Sequence, residues 1–231
     1  MTILRTSNLT KLFGKTLALH GVDLNVEAGR VVGLLGPNGS GKTTLMKLCN
    51  GLLTPSAGEI RIADMRPGVA TKAIVSYLPE VSWFNDWMKV QDMLDFFSDF
   101  YQDFDAAKAA DMLKALSIEP SAQIKALSKG TKEKVQLILV MARKAKLYLL
   151  DEPIGGVDPA VRDYILSTII KNYNPEASVI ISTHLIADVE PVLDEVIFLK
   201  EGEIVLHEDV DTIREEKGMS VDKLFREVFK C

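Results

Sequence analysis

Four short stretches carry residues whose types and spacing could do chemistry. The first is GPNGSGKTT, residues 36–44. Its Gly36-x-x-x-x-Gly41-Lys42-Thr43 spacing matches the Walker A pattern of phosphate-binding loops. Glycines let a backbone curl until successive N–H groups point at phosphate oxygens. One candidate cradle therefore comprises Gly36, Pro37, Asn38, Gly39, Ser40, Gly41, Lys42, Thr43 and Thr44. Within it the Lys42 ammonium would neutralise the outer phosphates and the Thr43 hydroxyl would ligate Mg²⁺.

The second stretch is LYLLDEP, residues 147–153. A buried strand delivers Asp151 at its carboxyl end, where ligands sit in open α/β sheets. Asp151 would hold the hydration shell of Mg²⁺, and Glu152 could aim at a water in line with the terminal phosphate. The bland alternative is a carboxylate pair capping the next helix. SVIISTHL, residues 178–185, presents His184 just past another strand end, where it would contact the γ-phosphate. The fourth stretch, LSKGTKEK at residues 127–134, sets Ser128 ahead of a long helical pattern. A helix start of this kind has bare N–H groups that hold negative charge. Two anion sites on one chain raise the question of what each one serves.

The elements needed to position these residues are legible. Val22, Leu24 and Val26 alternate as in a strand, ahead of a turn at residues 27–29. VVGLL at 31–35 is a nearly continuous apolar run, as in a central strand covered on both faces. After the glycine loop, Leu45, Met46, Leu48, Cys49 and Leu52 recur at helical spacing, with Asn50-Gly51 near the helix end. LYLL and SVIIS are further buried strands, and residues 195–208 read as a hairpin turning at Glu201-Gly202. Helical stretches alternate with the central strands, which predicts an α/β sheet with crossover helices. The last twenty residues read as one polar-faced terminal helix.

Residues 83–125 differ in character. Trp83, Phe84, Trp87, Phe96, Phe97, Phe100, Tyr101 and Phe104 are half of the aromatics in a chain with nine Phe, five Tyr and two Trp. No strand pattern appears there, and a mostly helical insertion is expected.

Bulk composition narrows the function classes. The 231 residues are 47% hydrophobic and 26% charged, ample for a buried core. A formal charge of −5 argues against a dedicated nucleic-acid binder. Cys49 and Cys231 show no metal or redox spacing, so a buried small residue and an exposed terminal thiol are expected. Arg5 and Asn8 interrupt any early apolar run, and no stretch approaches the ~20 apolar residues that span a bilayer. A cytoplasmic chain is the expectation.

Taken in order, GPNGSGKT, LSKGT, LYLLDE, GGVDP and STH resemble the nucleotide-binding domain of ATP-binding-cassette (ABC) transporters over nearly the whole chain. The resemblance implies a P-loop NTPase core with a mainly parallel sheet and an N-terminal antiparallel β subdomain. A helical subdomain is inserted at about residues 81–139, between core segments 1–80 and 140–231. It implies an ATPase binding ATP and Mg²⁺, with Phe13 stacking on adenine and Glu152 as general base. Asp158 would contact the dimer partner and His184 would be the switch histidine. Two such domains pair head to tail, so Ser128 and Gly130 would serve the ATP held by the neighbour's P-loop. That would account for two anion sites on one chain.

This sequence departs from the family pattern twice. Lys129 and Thr131 replace the first glycine and the glutamine of the usual LSGGQ signature, and Glu80 stands where glutamine is usual near Mg²⁺. Lys129 reads as an added charge near phosphate or as a solvated lysine. Both departures resemble bacterial drug- and antimicrobial-peptide-exporter ATPases. The partners implied are a second ATPase subunit and separate transmembrane permease subunits at the inner face of the membrane. Some of the aromatics, around Trp83 to Trp87, would dock that permease, while most would form the subdomain's own core. A second reading is a soluble ABC-type ATPase, against which stands the lack of coiled-coil heptads or a tandem cassette. A third, a P-loop switch or kinase, lacks any Asn-Lys-x-Asp guanine-reading segment.

Overall fold

The computed structural model describes residues 1–155, 159–174 and 176–230. In chain order the strands and helices are β1 (Thr2–Phe13), β2 (Thr16–Glu27), β3 (Val31–Leu35), α1 (Lys42–Cys49), β4 (Ala57–Ile62), α2 (Val69–Lys72), β5 (Val75–Leu78), α3 (Val90–Phe100), α4 (Ala106–Ala115) and α5 (Lys129–Met141). They continue with β6 (Leu147–Asp151), α6 (Pro159–Asn172), β7 (Ser178–Thr183), α7 (Ile186–Val189), β8 (Glu195–Lys200), β9 (Glu203–Asp209), α8 (Val210–Lys217) and α9 (Val221–Phe229).

Two sheets result. Strands β2, β1 and β4 form an antiparallel sheet in that order. The other sheet runs β5-β6-β7-β3-β8-β9. Its first five strands are parallel, and β9 closes the edge antiparallel to β8. All residues of β3, β6 and β7 are buried, as the unbroken apolar runs predict. Because successive side chains of a strand point to opposite faces, the central sheet feeds two cores. Tyr148, Leu150, Val179, Ile181 and Phe198 face the helices α3 to α6, α8 and α9. Leu147, Leu149, Ile180, Ile197 and Leu199 face α1 and the antiparallel sheet. This is the expected α/β class, with antiparallel N-terminal strands and a helical portion.

The β8–β9 hairpin turns at Glu201 and Gly202, both in the left-handed region at φ 48° and 84°, as a two-residue hairpin turn requires. Residues 83–125 carry α3 and α4 and no strand of either sheet, with Trp83, Phe84 and Trp87 in the loop before α3, and their rings divide between inside and outside. Phe97 is buried, with Phe84, Tyr101 and Phe104 packed against the core, whereas Trp83, Trp87, Phe96 and Phe100 are exposed.

The chain's end corrects the sequence reading. The single terminal helix expected there is two, because α8 ends at Gly218 in the left-handed conformation and α9 restarts at Ser220. The Ser220 hydroxyl caps the second helix by accepting from the Lys223 amide at 3.2 Å. The α9 helix buries Val221 and Leu224 and packs Phe225 and Phe229 on Phe198, so one face is apolar. Among the described residues, no helix is long and apolar enough to cross a membrane.

Candidate active site

The P-loop joins β3 to α1 and is fixed from behind. The Gly202 amide at the hairpin tip donates to the Ser40 carbonyl at 3.0 Å. A Cβ on Gly36 would meet the Leu199 carbonyl oxygen at 2.3 Å, and one on Gly41, at φ +109°, would meet that of Ala18 at 2.7 Å. Both positions therefore exclude side chains. Lys42 opens α1 with its ammonium buried, donating to the carbonyls of Gly36 at 2.7 Å and Pro37 at 3.2 Å. The Ser40 hydroxyl is buried in the loop and has no hydrogen-bond partner among the described residues. Buried polar groups are nearly always paired, so this hydroxyl is available to hydrogen-bond a ligand in the loop.

Strand pairing brings in the carboxylates. Asp151 ends β6 opposite Ser182 of β7, two residues before His184. The Asp151 Oδ1 accepts from the Thr43 hydroxyl at 3.1 Å and from the Ser182 hydroxyl at 2.6 Å, and Oδ2 accepts from Tyr77 at 3.4 Å. Burial, and next the Asp151 charge, push the Tyr77 phenol well above its usual range, so it is a donor. Glu152 adopts φ 49°, and its amide donates to the Ser182 carbonyl and hydroxyl at 3.0 and 3.1 Å. Its carboxylate lies between Lys42, 3.6 Å from Oε1, and His184, whose Nδ1 is 3.1 Å from Oε2.

These groups open on one cavity of about 810 Å³. Its wall includes Asn38 to Thr44, Glu80, Asp151, Glu152 and His184, and on the far side Lys129, Lys132, Glu133 and Gln136. Gln136 donates to the Pro79 carbonyl at 3.1 Å, tying α5 to the loop that carries Glu80. Burial raises the Glu133 carboxyl above its ordinary value, only partly offset by Lys129.

Sequence reasoning thus gathered Lys42, Thr43, Glu80, Asp151, Glu152 and His184, and the structure brings them together. It does not bring Phe13, Ser128 or Gly130 into the same cavity wall. Phe13 ends β1 half-exposed, under the Lys11 ammonium 5.1 Å from its ring centre. Ser128 caps α5 by accepting from the Thr131 amide at 3.2 Å, and Gly130 has open space where a Cβ would stand. Asp158 lies outside the described residues. Tyr77, Ser182, Glu133 and Gln136 escaped the sequence reading, although Ser182 and Glu133 sit in stretches singled out for other reasons.

The family model for the ABC transporter matches residues 19–155, more than half of the chain, from the P-loop through the Asp151-Glu152 pair. The chain belongs to the ABC transporter family. It is the ATP-binding, ATP-hydrolysing subunit of an ABC transporter. It is similar to the lantibiotic transport ATP-binding protein SrtF of Streptococcus pyogenes, 29% identical over 90% of this chain and 92% of the relative. A solved ATP binding subunit of an ABC transporter superposes over 99% of this chain and 100% of its own, at a TM-score of 0.88 and 27% identity. The fold is also that of the cassette MJ0796, solved as a dimer in a post-hydrolysis state with ADP and phosphate. That likeness covers 90% of this chain and 98% of the other, with TM-score 0.78 and 22% identity.

Proposed function

We propose that this ABC transporter ATPase hydrolyses ATP with Glu152 as the general base and Lys42 and His184 as phosphate-facing partners. The observation that carries the reading is the convergence of Lys42, Glu152 and His184 within 3.6 Å contacts, beside the Thr43–Asp151 pair. The Ser40 hydroxyl and the loop amides bind the phosphates, and Lys42 exchanges its Gly36 and Pro37 carbonyls for phosphate oxygens.

The donor set fits Mg²⁺. Thr43 and Asp151 supply hard oxygen atoms 3.1 Å apart, with Glu80 in the same wall. Among the described residues no group of three His, Cys, Asp or Glu forms an all-protein cage. Mg²⁺ suits such a site, because it keeps waters and takes one or two carboxylates plus substrate phosphates. When bound, it neutralises charge building on the phosphoryl oxygens. Glu152 takes the proton of the attacking water, and His184 orients that carboxylate through its 3.1 Å contact.

The working unit is a head-to-tail dimer in which Ser128 and Gly130 of each copy face the nucleotide of the other. Three features support this: both are absent from their own chain's cavity wall, both lie at the open tip of α5, and MJ0796 shares the fold and was solved as a dimer. Asp158 would make a further contact across that seam, and Phe13 would stack on adenine. The helical part at about residues 81–139 exposes Trp83, Trp87, Phe96 and Phe100, an apolar patch suited to a permease subunit. The chain would then lie at the inner face of the membrane, held there by its partner.

Glu152→Gln tests the assignment. The variant should bind ATP as wild type does and lose roughly 100-fold or more in hydrolysis rate, with ATP-dependent dimers accumulating on a sizing column. Near-native turnover would refute the role given to Glu152.

A further inference from the structure

We propose that Ser182 is a positioning residue for ATP hydrolysis, one hydroxyl that locks the metal-binding carboxylate and the catalytic base into a single register. This rests on the roles assigned to Asp151 and Glu152 above.

The geometry is specific. Ser182 lies on β7 with no exposed surface, and the parallel register sets it directly beside Asp151. Its Oγ is 2.6 Å from Asp151 Oδ1 and 3.1 Å from the Glu152 amide nitrogen. A hydroxyl has one proton to give and lone pairs to receive with. A carboxylate oxygen such as Asp151 Oδ1 accepts, and an amide N–H can only donate. The direction of the chain is thereby fixed: the Glu152 amide donates to the Ser182 hydroxyl, which donates to the Asp151 carboxylate. Linked hydrogen bonds of this kind polarise one another.

Both ends of that chain need support. Glu152 holds φ 49°, a backbone conformation that residues with a side chain seldom adopt. Its amide is the group Ser182 grips, through the carbonyl and the hydroxyl together. At the other end, Asp151 Oδ1 has two donors, Thr43 and Ser182. In the reading above Thr43 also gives a lone pair to Mg²⁺, so Ser182, at the shorter distance, is the side-chain donor on Oδ1 that the metal does not share. A serine satisfied by its own strand would touch neither group. Ser182 touches both, and two residues further along the chain stands His184, which contacts the Glu152 carboxylate.

The test compares Ser182→Ala, Ser182→Cys and Ser182→Thr in the full chain. The readouts are kcat and KM for ATP, Mn²⁺ retention with ADP by electron paramagnetic resonance, and ADP affinity in EDTA. Loss of an outer partner of a metal ligand costs about 10- to 100-fold in metal affinity or activity. Ser182→Ala and Ser182→Cys should lose that much in kcat and in Mn²⁺ retention, with ADP affinity in EDTA unchanged. Ser182→Thr, which keeps the hydroxyl, should recover most of both. Should Ser182→Ala fail to fold, the Cys variant carries the comparison, since it leaves no cavity and donates only weakly.

Wild-type kcat and Mn²⁺ retention in the Ala or Cys variant would overturn the proposal. So would a parallel loss of metal-free ADP binding, which packing damage alone produces. The two levels of inference separate cleanly. An active Glu152→Gln enzyme sinks the roles on which this one stands, whereas an inactive Glu152→Gln beside a fully active Ser182→Ala sinks Ser182 alone.

Discussion

The Lys42 ammonium lies 3.6 Å from the Glu152 carboxylate, with the two side chains only 6% and 10% exposed. In the proposed mechanism the phosphate-binding cation thus neutralises the general base until phosphate competes for it. Removing one partner of a buried pair leaves the other uncompensated. Lys42→Met should therefore lower the stability of the nucleotide-free protein by about 1–3 kcal/mol, with His184 limiting the loss. It should also abolish the stabilisation by ATP, which for wild type reaches ~2.7 kcal/mol at 100 times Kd. Denaturant melts with and without Mg-ATP measure both. An unchanged ATP-dependent rise in the variant would contradict the assignment of Lys42.

Cys49 supplies a pH-dependent prediction. It is fully buried near the end of α1, and burial pushes its thiol up from 9.0 to about 12. The unfolded chain then loses the proton first, so this contribution to stability is complete below pH 9 and is lost as pH rises from 9 toward 12. The loss runs at roughly 1.4 kcal/mol per pH unit across that window. Against a Cys231→Ser background, adding Cys49→Ala should flatten the alkaline limb of the stability profile relative to the parent. The same background should show no reactive thiol until the protein unfolds. Rapid labelling of native Cys49 would contradict its burial.

Legibility in the sequence followed the chain distance over which each contact closes. The P-loop and the Asp151-Glu152 pair were readable because their working groups are consecutive and their flanking runs name the strands. The groups that hold those carboxylates and the Glu80 loop in place were not. Ser182 reaches Asp151 across 31 residues, Gln136 reaches Pro79 across 57, and Tyr77 reaches Asp151 across 74. Only strand order makes such residues neighbours, and a linear pattern does not carry strand order. The aromatic region fails for a different reason. Phe96 with Phe100, and Phe97 with Tyr101, form two stripes at the same helical spacing. Periodicity cannot say which stripe faces inward; the sheet and α5 decide it, burying Phe97 and leaving Phe96 40% exposed. The split between α8 and α9 had a local signal in Gly218 and Ser220, which a single polar-faced helix reading passes over.

Arg143 predicts how strongly the helical portion is tied to the sheet. Only 2% exposed, it forks onto Asp103 at 2.9 and 3.1 Å and donates to the carbonyls of Lys72, Ala73 and Val75. Its guanidinium also lies 3.9 Å over the Tyr101 ring. Lysine has the charge without the planar fork, so it cannot satisfy these acceptors together. Arg143→Lys should cost about 3 kcal/mol in urea denaturation, within the range for breaking a buried, hydrogen-bonded pair. A cost below about 1 kcal/mol, the range of an exposed ion pair, would show that this junction is looser than its hydrogen bonds imply.

Gly130 separates what is good for one copy from what the pair needs. It lies inside the first turn of α5, where a Cβ would meet nothing within 4 Å among the described residues. Alanine is favoured over glycine in a helix by roughly 1 kcal/mol, so Gly130→Ala should raise the melting temperature of the isolated chain slightly. In the proposed dimer the same position approaches the partner's nucleotide, and there a methyl group occupies space that glycine leaves clear. ATP-driven dimerisation should then weaken, by about tenfold for a clash worth 1.4 kcal/mol, while the monomer's own nucleotide affinity stays unchanged. Sedimentation of Gly130→Ala with and without ATP, combined with Glu152→Gln to block turnover, reads the two effects apart. A more stable monomer that also dimerises as readily as its parent would mean that the α5 tip does not meet the nucleotide of a second copy.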